Sequence, residues 1–178
     1  MRQGKAIYAG VSSYAEPHFS AALQVVRAHS WAPVTIHQPR YSMLDRGAES
    51  DVLPTAAREG VGVIGFSPLA QGLLTARYLD GIPEDSRVLR NKGNGALTPD
   101  RLTAPLIAKL KGLDGVAKSR GQSLAQMALA WLLKDERLTS VVIGASKPQQ
   151  VDECVACLSN LSFDAVELES IERILADR

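Results

Sequence analysis

Residues Val141 to Cys157 read VVIGASKPQQVDECVAC, and the run places an apolar strand, a polar turn and a helix start in immediate succession. Val141, Val142 and Ile143 are three β-branched residues in a row, which suits a strand buried on both faces, as parallel strands of α/β proteins are. Gly144 ends the strand. Ser146 precedes Lys147 and Pro148, so it is placed to cap a helix beginning at or near the proline, where a missing N–H costs nothing. The N–H groups of Gln149 and Gln150 then point outward. With the helix dipole behind them and Lys147 beside them, they form a seat for a phosphate. The same residues equally fit a plain helix start with a solvated lysine.

The stretch ends in the pair Cys154 and Cys157, the only cysteines in the chain. Their C-V-A-C spacing raises a thioredoxin-like redox centre. Such a centre needs its first cysteine at a helix N-terminus, where the dipole lowers the thiol pKa. Cys154 falls about six residues beyond Pro148, so both side chains lie mid-helix, and helix packing is the favoured reading.

Length and charge narrow the classes further. With 178 residues the chain can build one good core. Twenty basic residues against nineteen acidic ones give a net charge of +1. No run of like charge points to nucleic acid or to an anionic membrane surface. No apolar stretch reaches the roughly 18 residues of a membrane span, and Met1-Arg2-Gln3-Gly4-Lys5 is no signal peptide, so the expected compartment is the cytoplasm.

Upstream, the chain alternates strands and helices. Ala6 to Ser12, AIYAGVS, is a strand whose early start points to missing sequence before it. A helix follows over Glu16 to Ser30, with Pro17 in its first turn and Phe19, Leu23 and Val26 on one buried face. PVTIHQ, from Pro33, is the second strand. A helix near Glu49 to Glu59 turns Val52, Leu53 and Ala56 inward, and Gly60 closes it. VGVIGF, Val61 to Phe66, is the third strand. Gly81 to Asp100 reads as a long polar lid or binding loop. Helices from Pro99 to about Ser119 and from Ser123 to about Lys134 come next, the second opening on a Ser123–Gln126 capping box. Val141 to Ile143 is the fourth strand, and helices over Pro148 to Leu158 and Ala165 to about Asp177 finish the chain.

This order predicts an α/β fold of four parallel βα units plus a final helix, with no hairpin signal. The strands end in Ser12-Ser13, His37-Gln38, Ser67 and Gly144-Ala145-Ser146. In βα architectures such ends gather on one face, where active sites are built. An open flavodoxin-like sheet shares the rhythm but leaves the long loop without a purpose.

GVSSY, IHQPRYSML, GVGVIGFSPLAQGLLTARYL, IPEDSR, QMALAWLL and SVVIGASKPQQVDE occur in one order along the chain. In that order and spacing the chain resembles the C-terminal half of an aldo-keto reductase, a (β/α)8 TIM barrel that binds NADP(H) and reduces carbonyls. The resemblance covers essentially the whole chain. It is strongest towards bacterial reductases of small phosphorylated or dicarbonyl aldehydes and towards potassium-channel β subunits.

The resemblance implies a cofactor site residue by residue. Ser12 and Ser13 match the pair that holds the nicotinamide carboxamide, and Gln38 the glutamine that shares the task. The second of the pair is commonly asparagine or arginine, so Ser13 is a departure. Phe66 matches the aromatic residue under the nicotinamide ring. Ser67, Pro68, Leu69, Ala70 and Gly72 match the turn under the pyrophosphate, and Arg77 and Arg87 basic residues of the lid. Gly144, Ser146, Gln150 and Glu153 match the adenosine and 2′-phosphate site, which implies NADP rather than NAD. Cys154 stands where asparagine is usual. Taken singly, Phe66 also fits a core residue at a strand end, Arg77 and Arg87 plain surface, and Gln38 a loop cap. The inference lies in the set.

The family protonates its carbonyl substrate from a tyrosine tuned by lysine and aspartate, with a histidine orienting the substrate. Such a phenol needs its pKa of about 10 brought down by a cationic neighbour. The resemblance assigns these four residues to the half of the barrel that this chain does not match. His37 stands near the expected face, Tyr8 lies inside a strand, and Tyr41 lacks the family's Lys and Asp pattern, so no catalytic tetrad and no metal site are expected. Two readings follow. One is the cofactor-gripping part of a reductase of small carbonyls, and the other a catalytically silent dinucleotide-binding or scaffold module. Four strands alone expose two sheet edges, which favours self-association. Arg40 and Tyr41 would border the substrate.

Overall fold

Each of the four apolar runs forms a strand; the first three start later than their sequence suggests, and the fourth is shifted one residue earlier. In a computed structural model, which describes residues 1–84, 86 and 97–176, they are β1 (Ala9–Ser12), β2 (Val34–Gln38), β3 (Gly62–Phe66) and β4 (Ser140–Val142). They form a four-stranded sheet in the order β1-β2-β3-β4, with every neighbouring pair parallel. The expected parallel α/β arrangement is therefore present. The first strand starts at Ala9 rather than Ala6, because its neighbour begins at Val34 and pairs with Ala9. Ile7 and Tyr8 are left 78% and 74% exposed.

The chain divides into two units, Met1–Pro68 with Leu132–Ile143, and Leu69–Trp131 with Gly144–Arg178. The first contains the sheet. Its helices are α1 (His18–Ala28) and α2 (Val52–Glu59), the latter preceded by a 3₁₀ turn, Gly47–Glu49. Phe19 of α1 is fully buried and lies tilted on the ring of His37, with centroids 4.4 Å apart. Val52, Leu53 and Ala56 of α2 are buried, as their spacing predicts. Gly60 ends α2 in the left-handed conformation, at φ 68° and ψ 28°. Its N–H goes to Ala57 and that of Val61 to Ala56, the paired bonds that close a helix end on glycine.

Alternation along the strands sorts the two faces of the sheet. His37 and Val63, register partners, are fully buried on the helix-covered face. Ile36, Gln38, Ile64 and Phe66 lie on the opposite face and are half-buried. On that face Ile36 has Gly10 and Gly62 as its partners in β1 and β3. A Cβ at Gly10 would stand 3.0 Å from the Ile36 carbonyl oxygen, and one at Gly62 3.3 Å from Ile36 Cδ1. Glycine at position 10 leaves room for the Ile36 backbone, and glycine at position 62 for the Ile36 side chain and for Thr139 Oγ1 at 3.2 Å.

The second unit contains α3 (Ala104–Ser119), most of α4 (Leu124–Leu133), α5 (Pro148–Val155) and α6 (Ala165–Ala176). Pro99–Arg101 is a separate 3₁₀ turn, and α3 begins after Thr103, whose hydroxyl accepts from Leu106 N–H at 3.4 Å. The capping box before α4 is present in both directions: Gln126 N–H to Ser123 Oγ at 3.2 Å, and Ser123 N–H to Gln126 Oε1 at 2.9 Å. Met127 through Trp131 are buried, as their apolar run requires. The helix expected over Pro148 to Leu158 stops at Val155 and continues as a 3₁₀ turn, Ala156–Ser159.

α3 packs on α6, with Gly112 against Ile174. The side chain of Arg120, just after α3, is nearly fully buried. Its guanidinium pairs with Glu167, donates to the carbonyls of Asn160 and Ser162, and lies 3.6 Å from the ring centroid of Phe163. Among the described residues no helix is long and apolar enough to cross a membrane.

Candidate functional site

The C-terminal ends of β1 and β2 bring Ser12, Ser13 and Gln38 together. Ser12 and Gln38 are register partners. The Ser12 hydroxyl donates to the Gln38 carbonyl at 2.9 Å, and the Ser13 N–H donates to the same oxygen at 3.0 Å. With its proton committed, Ser12 Oγ presents lone pairs, which suits the NH₂ of a carboxamide. The Gln38 side-chain amide has no partner among the described residues. It carries a donor and an acceptor, the complement a carboxamide needs. Ser13 holds φ 57°, a left-handed conformation uncommon outside glycine.

Phe66 ends β3 on the same face as Gln38 and Ser12, by two-residue alternation through the register Ile36 to Gly62. Its N–H bonds the Pro39 carbonyl at 2.9 Å, and its carbonyl accepts from Tyr41 at 3.2 Å. Phe66 is half-buried, and the Arg40 guanidinium lies over its ring, 5.7 Å from the centroid. Ser67 follows at φ 56° and Pro68 is buried.

In the second unit the positive-φ backbone continues. Ala70 stands at φ 47°, Gln71 at 60° and Gly72 at 92°. Gly72 N–H and Leu74 N–H both return to the Leu69 carbonyl, at 2.9 and 3.2 Å, which folds the segment back on itself. Thr75 accepts from Arg77 N–H at 3.2 Å and so starts the short turn that presents Arg77 at the surface. Of the five non-glycine residues with positive φ among those described, Ser13, Ser67 and Ala70 are candidate cofactor residues, Gln71 stands beside one, and Ser30 follows α1 away from them. Strained backbone of this kind concentrates at functional sites. Sequence reasoning had no signal for it, since none of these residues is glycine. Arg87 and most of the expected lid lie outside the described residues.

At the start of α5 the hydrogen bonds differ from the sequence expectation. Ser146 does not cap the helix. Gln150 reaches back instead, its Oε1 accepting from Ser146 N–H at 2.7 Å, Ser146 Oγ at 3.1 Å and Lys147 N–H at 3.3 Å. Gln150 N–H is taken by the Lys147 carbonyl. The expected pair of outward N–H groups is thus reduced to that of Gln149, and an anion here would depend on the Lys147 ammonium. A longer side chain three residues into the helix outcompeted the serine. Gly144, Ser146, Gln150 and Glu153 are all exposed, and the Glu153 carbonyl accepts from Gln126 at 3.3 Å.

The cysteines are free thiols. Burial pushes both up, helped at Cys154 by Glu153 and at Cys157 by Cys154, the reverse of a redox centre. Among the described residues no group of three or more His, Cys, Asp or Glu could hold a metal ion.

The Tyr41 phenol and the His37 imidazole are taken up in internal contacts. Tyr41 is buried, donates to Glu49 Oε1 at 3.0 Å, and is pushed well above the ordinary tyrosine range by burial and by the Glu49 carboxylate. Arg46 pairs with Glu49 at 2.8 Å. Tyr8 is mostly exposed. His37, expected near the site face, points the other way, into the helices.

The sequence model of the aldo/keto reductase family matches residues 1–176. The chain is 49% identical over 181 residues to L-glyceraldehyde 3-phosphate reductase of Escherichia coli O157:H7, covering 99% of the chain and 51% of the relative. The protein of the same name from Escherichia coli strain K12 matches equally, at 49% over 181 residues, 99% of the chain and 51% of the relative. A probable voltage-gated potassium channel subunit beta of Oryza sativa subsp. japonica is 32% identical over 182 residues, 98% of the chain and 54% of the relative. The chain spans about half the length of these curated relatives.

Proposed function

The chain belongs to the aldo/keto reductase family, and from that premise we propose that it is the cofactor-gripping, C-terminal half of a (β/α)8 barrel in an NADP(H)-dependent reductase of small aldehydes or ketones. The observation that carries the reading is the cluster of Ser12, Ser13 and Gln38 at the C-terminal ends of parallel strands, with Phe66 on the same face. Its donor set fits a nicotinamide. Ser12 Oγ and the Gln38 amide take the carboxamide, and Phe66 takes the ring. Ser67, Pro68, Leu69, Ala70 and Gly72 cradle the pyrophosphate, with Arg77 and Arg87 adding positive charge. Gly144, Ser146, Gln150 and Glu153 take the adenosine, and Lys147 offers the cation that favours a 2′-phosphate.

When bound, the cofactor supplies the hydride that a carbonyl carbon accepts. The residues described here bind and orient it. The proton for the carbonyl oxygen has no donor among them, since Tyr41 is buried against Glu49 and held above its ordinary range. In this reading, that donor and most of the carbonyl pocket come from the other half of the barrel, while Arg40 borders the substrate. Cytoplasmic location and association through the β1 and β4 edges belong to the same proposal. Val142 of β4 is 43% exposed, in keeping with an uncovered edge.

The Tyr41 environment also favours a second reading, a module that binds the dinucleotide and does no chemistry. Titration with NADPH, with NADH as control and Trp31 and Trp131 fluorescence as readout, tests what both share. NADPH binding well ahead of NADH is the expected result. Equal or absent binding removes the NADP assignment, and turnover of a small aldehyde by this chain alone would remove the silent module.

A further inference from the structure

The turn from β1 into α1 is fixed at three nearby points. Ser13 gives its N–H to the Gln38 carbonyl at 3.0 Å, the Tyr14 carbonyl meets Nε2 of His37 at 3.0 Å, and Glu16 gives its N–H to Asp51 Oδ1 at 3.0 Å. Between them Ser13 keeps its left-handed backbone, which persists in a non-glycine residue only where the surroundings over-determine it.

His37 supplies the middle point from within a strand. Its side chain is fully buried against Phe19. A carbonyl oxygen only accepts, so Nε2 carries the hydrogen and Nδ1 is the bare nitrogen. Nδ1 is buried and has no partner among the described residues, an arrangement that is destabilising in a core. Leucine would fill the same space without that penalty. What the imidazole adds is the bond to Tyr14.

We propose that His37 is a positioning residue for the nicotinamide end of the cofactor site: it holds the Tyr14 carbonyl and so keeps Ser13 in its left-handed conformation beside Ser12 and Gln38. This rests on the nicotinamide reading of that cluster. His37 faces away from the cluster and touches no cofactor. Asp51 and Glu16 are the charged groups whose fields act on it.

The test compares the full chain with His37→Leu, which fills space without a donor, and His37→Gln, whose amide nitrogen reproduces Nε2. Amide exchange at Ser13 and Glu16 reports the turn. Affinities for NADPH and for 2′-phospho-ADP-ribose, which lacks the nicotinamide, report the site. His37→Leu is expected to lower Ser13 protection about tenfold and to weaken NADPH roughly fivefold. Binding of 2′-phospho-ADP-ribose should be unchanged, and His37→Gln should restore both losses. Unchanged exchange, equal weakening of both ligands, or failure of glutamine to rescue overturns the proposal. Wild-type chain that binds neither ligand overturns the nicotinamide reading and this proposal with it. The exchange data would still show separately whether His37 holds the turn.

Discussion

Ser12 and Gln38 are joined twice over: they are register partners across β1 and β2, and the hydroxyl of one donates to the carbonyl of the other at 2.9 Å. The contact lies at the exposed strand end, so it adds little to stability and fixes instead which way the serine lone pairs face. Ser12→Ala should weaken NADPH binding by roughly three- to tenfold while changing stability by under about 1 kcal/mol. Isothermal titration and urea unfolding on one preparation separate the two effects, and a large stability loss with unchanged affinity would reverse the assignment.

Phe66 offers a ring face rather than a polar group. Phe66→Tyr and Phe66→Trp should bind NADPH within about threefold of wild type, whereas Phe66→Ala should lose about tenfold, since an aromatic pair is worth roughly 0.5–1.5 kcal/mol. Binding by the alanine variant as tight as wild type would show that the ring is merely a strand-end residue.

Arg120 should be the costliest surface-distant substitution in the second unit. Its buried guanidinium serves Glu167, two carbonyls and the Phe163 ring together. Glu167 in turn accepts from Asp164 N–H at 2.9 Å at the start of α6. Arg120→Met takes the cation from the Glu167 carboxylate and a donor from the Ser162 carbonyl, and should destabilise by about 3 kcal/mol. Arg120→Lys should recover only part of this, because an ammonium cannot reproduce the planar fork. Denaturant midpoints of the two variants measure both statements.

Acid should weaken the first unit earlier than its carboxylates explain. Burial holds the His37 imidazole below its ordinary value of 6.5, against the opposing pull of the Tyr14 carbonyl, Asp51 and Glu16. The unfolded chain therefore takes up that proton first, so stability is whole above 6.5 and falls as pH drops towards the folded value. The carboxylates of Glu16 and Glu49, held below their usual 4.5, begin to contribute only at lower pH. Urea midpoints at two pH values spanning His37's ordinary one should differ in wild type and differ less in His37→Gln.

The thiols should be slow. With both pushed up by burial, Cys154 and the more buried Cys157 should react with a thiol reagent at neutral pH far more slowly in the native chain than after denaturation. Prompt formation of a disulfide between them under mild oxidant would restore the redox reading.

The architecture was legible because β-branched runs, Gly60 and the Ser123–Gln126 box each encode a local preference that tertiary packing did not override. Strand beginnings were less so, since they depend on where a neighbour starts, as Ala9 and Val34 show. At the candidate site, the identity of Ser12, Gln38 and Phe66 could be read, but their arrangement could not. The side on which His37 lies follows from register with Val63. The displacement of Ser146 as a cap follows from the reach of Gln150. Neither is a property of a single position. The left-handed residues Ser13, Ser67 and Ala70 left no trace in composition, because serine and alanine carry no preference for that conformation.

Gly10, Ile36 and Gly62 make one volume distributed over three strands. With 3.0 Å between a Cβ at position 10 and the Ile36 carbonyl, and 3.3 Å between one at position 62 and Ile36 Cδ1, the three positions cannot be redesigned singly. At position 62 the obstacles are side chains, Thr139 Oγ1 at 3.2 Å and Ile36 Cδ1, so an alanine is expected to be tolerated only alongside smaller residues at 36 and 139, giving non-additive mutations. At position 10 no side-chain change at 36 can help, because the obstacle is backbone. For an engineer reshaping the lining of this sheet, one flank of the isoleucine is therefore adjustable and the other is fixed.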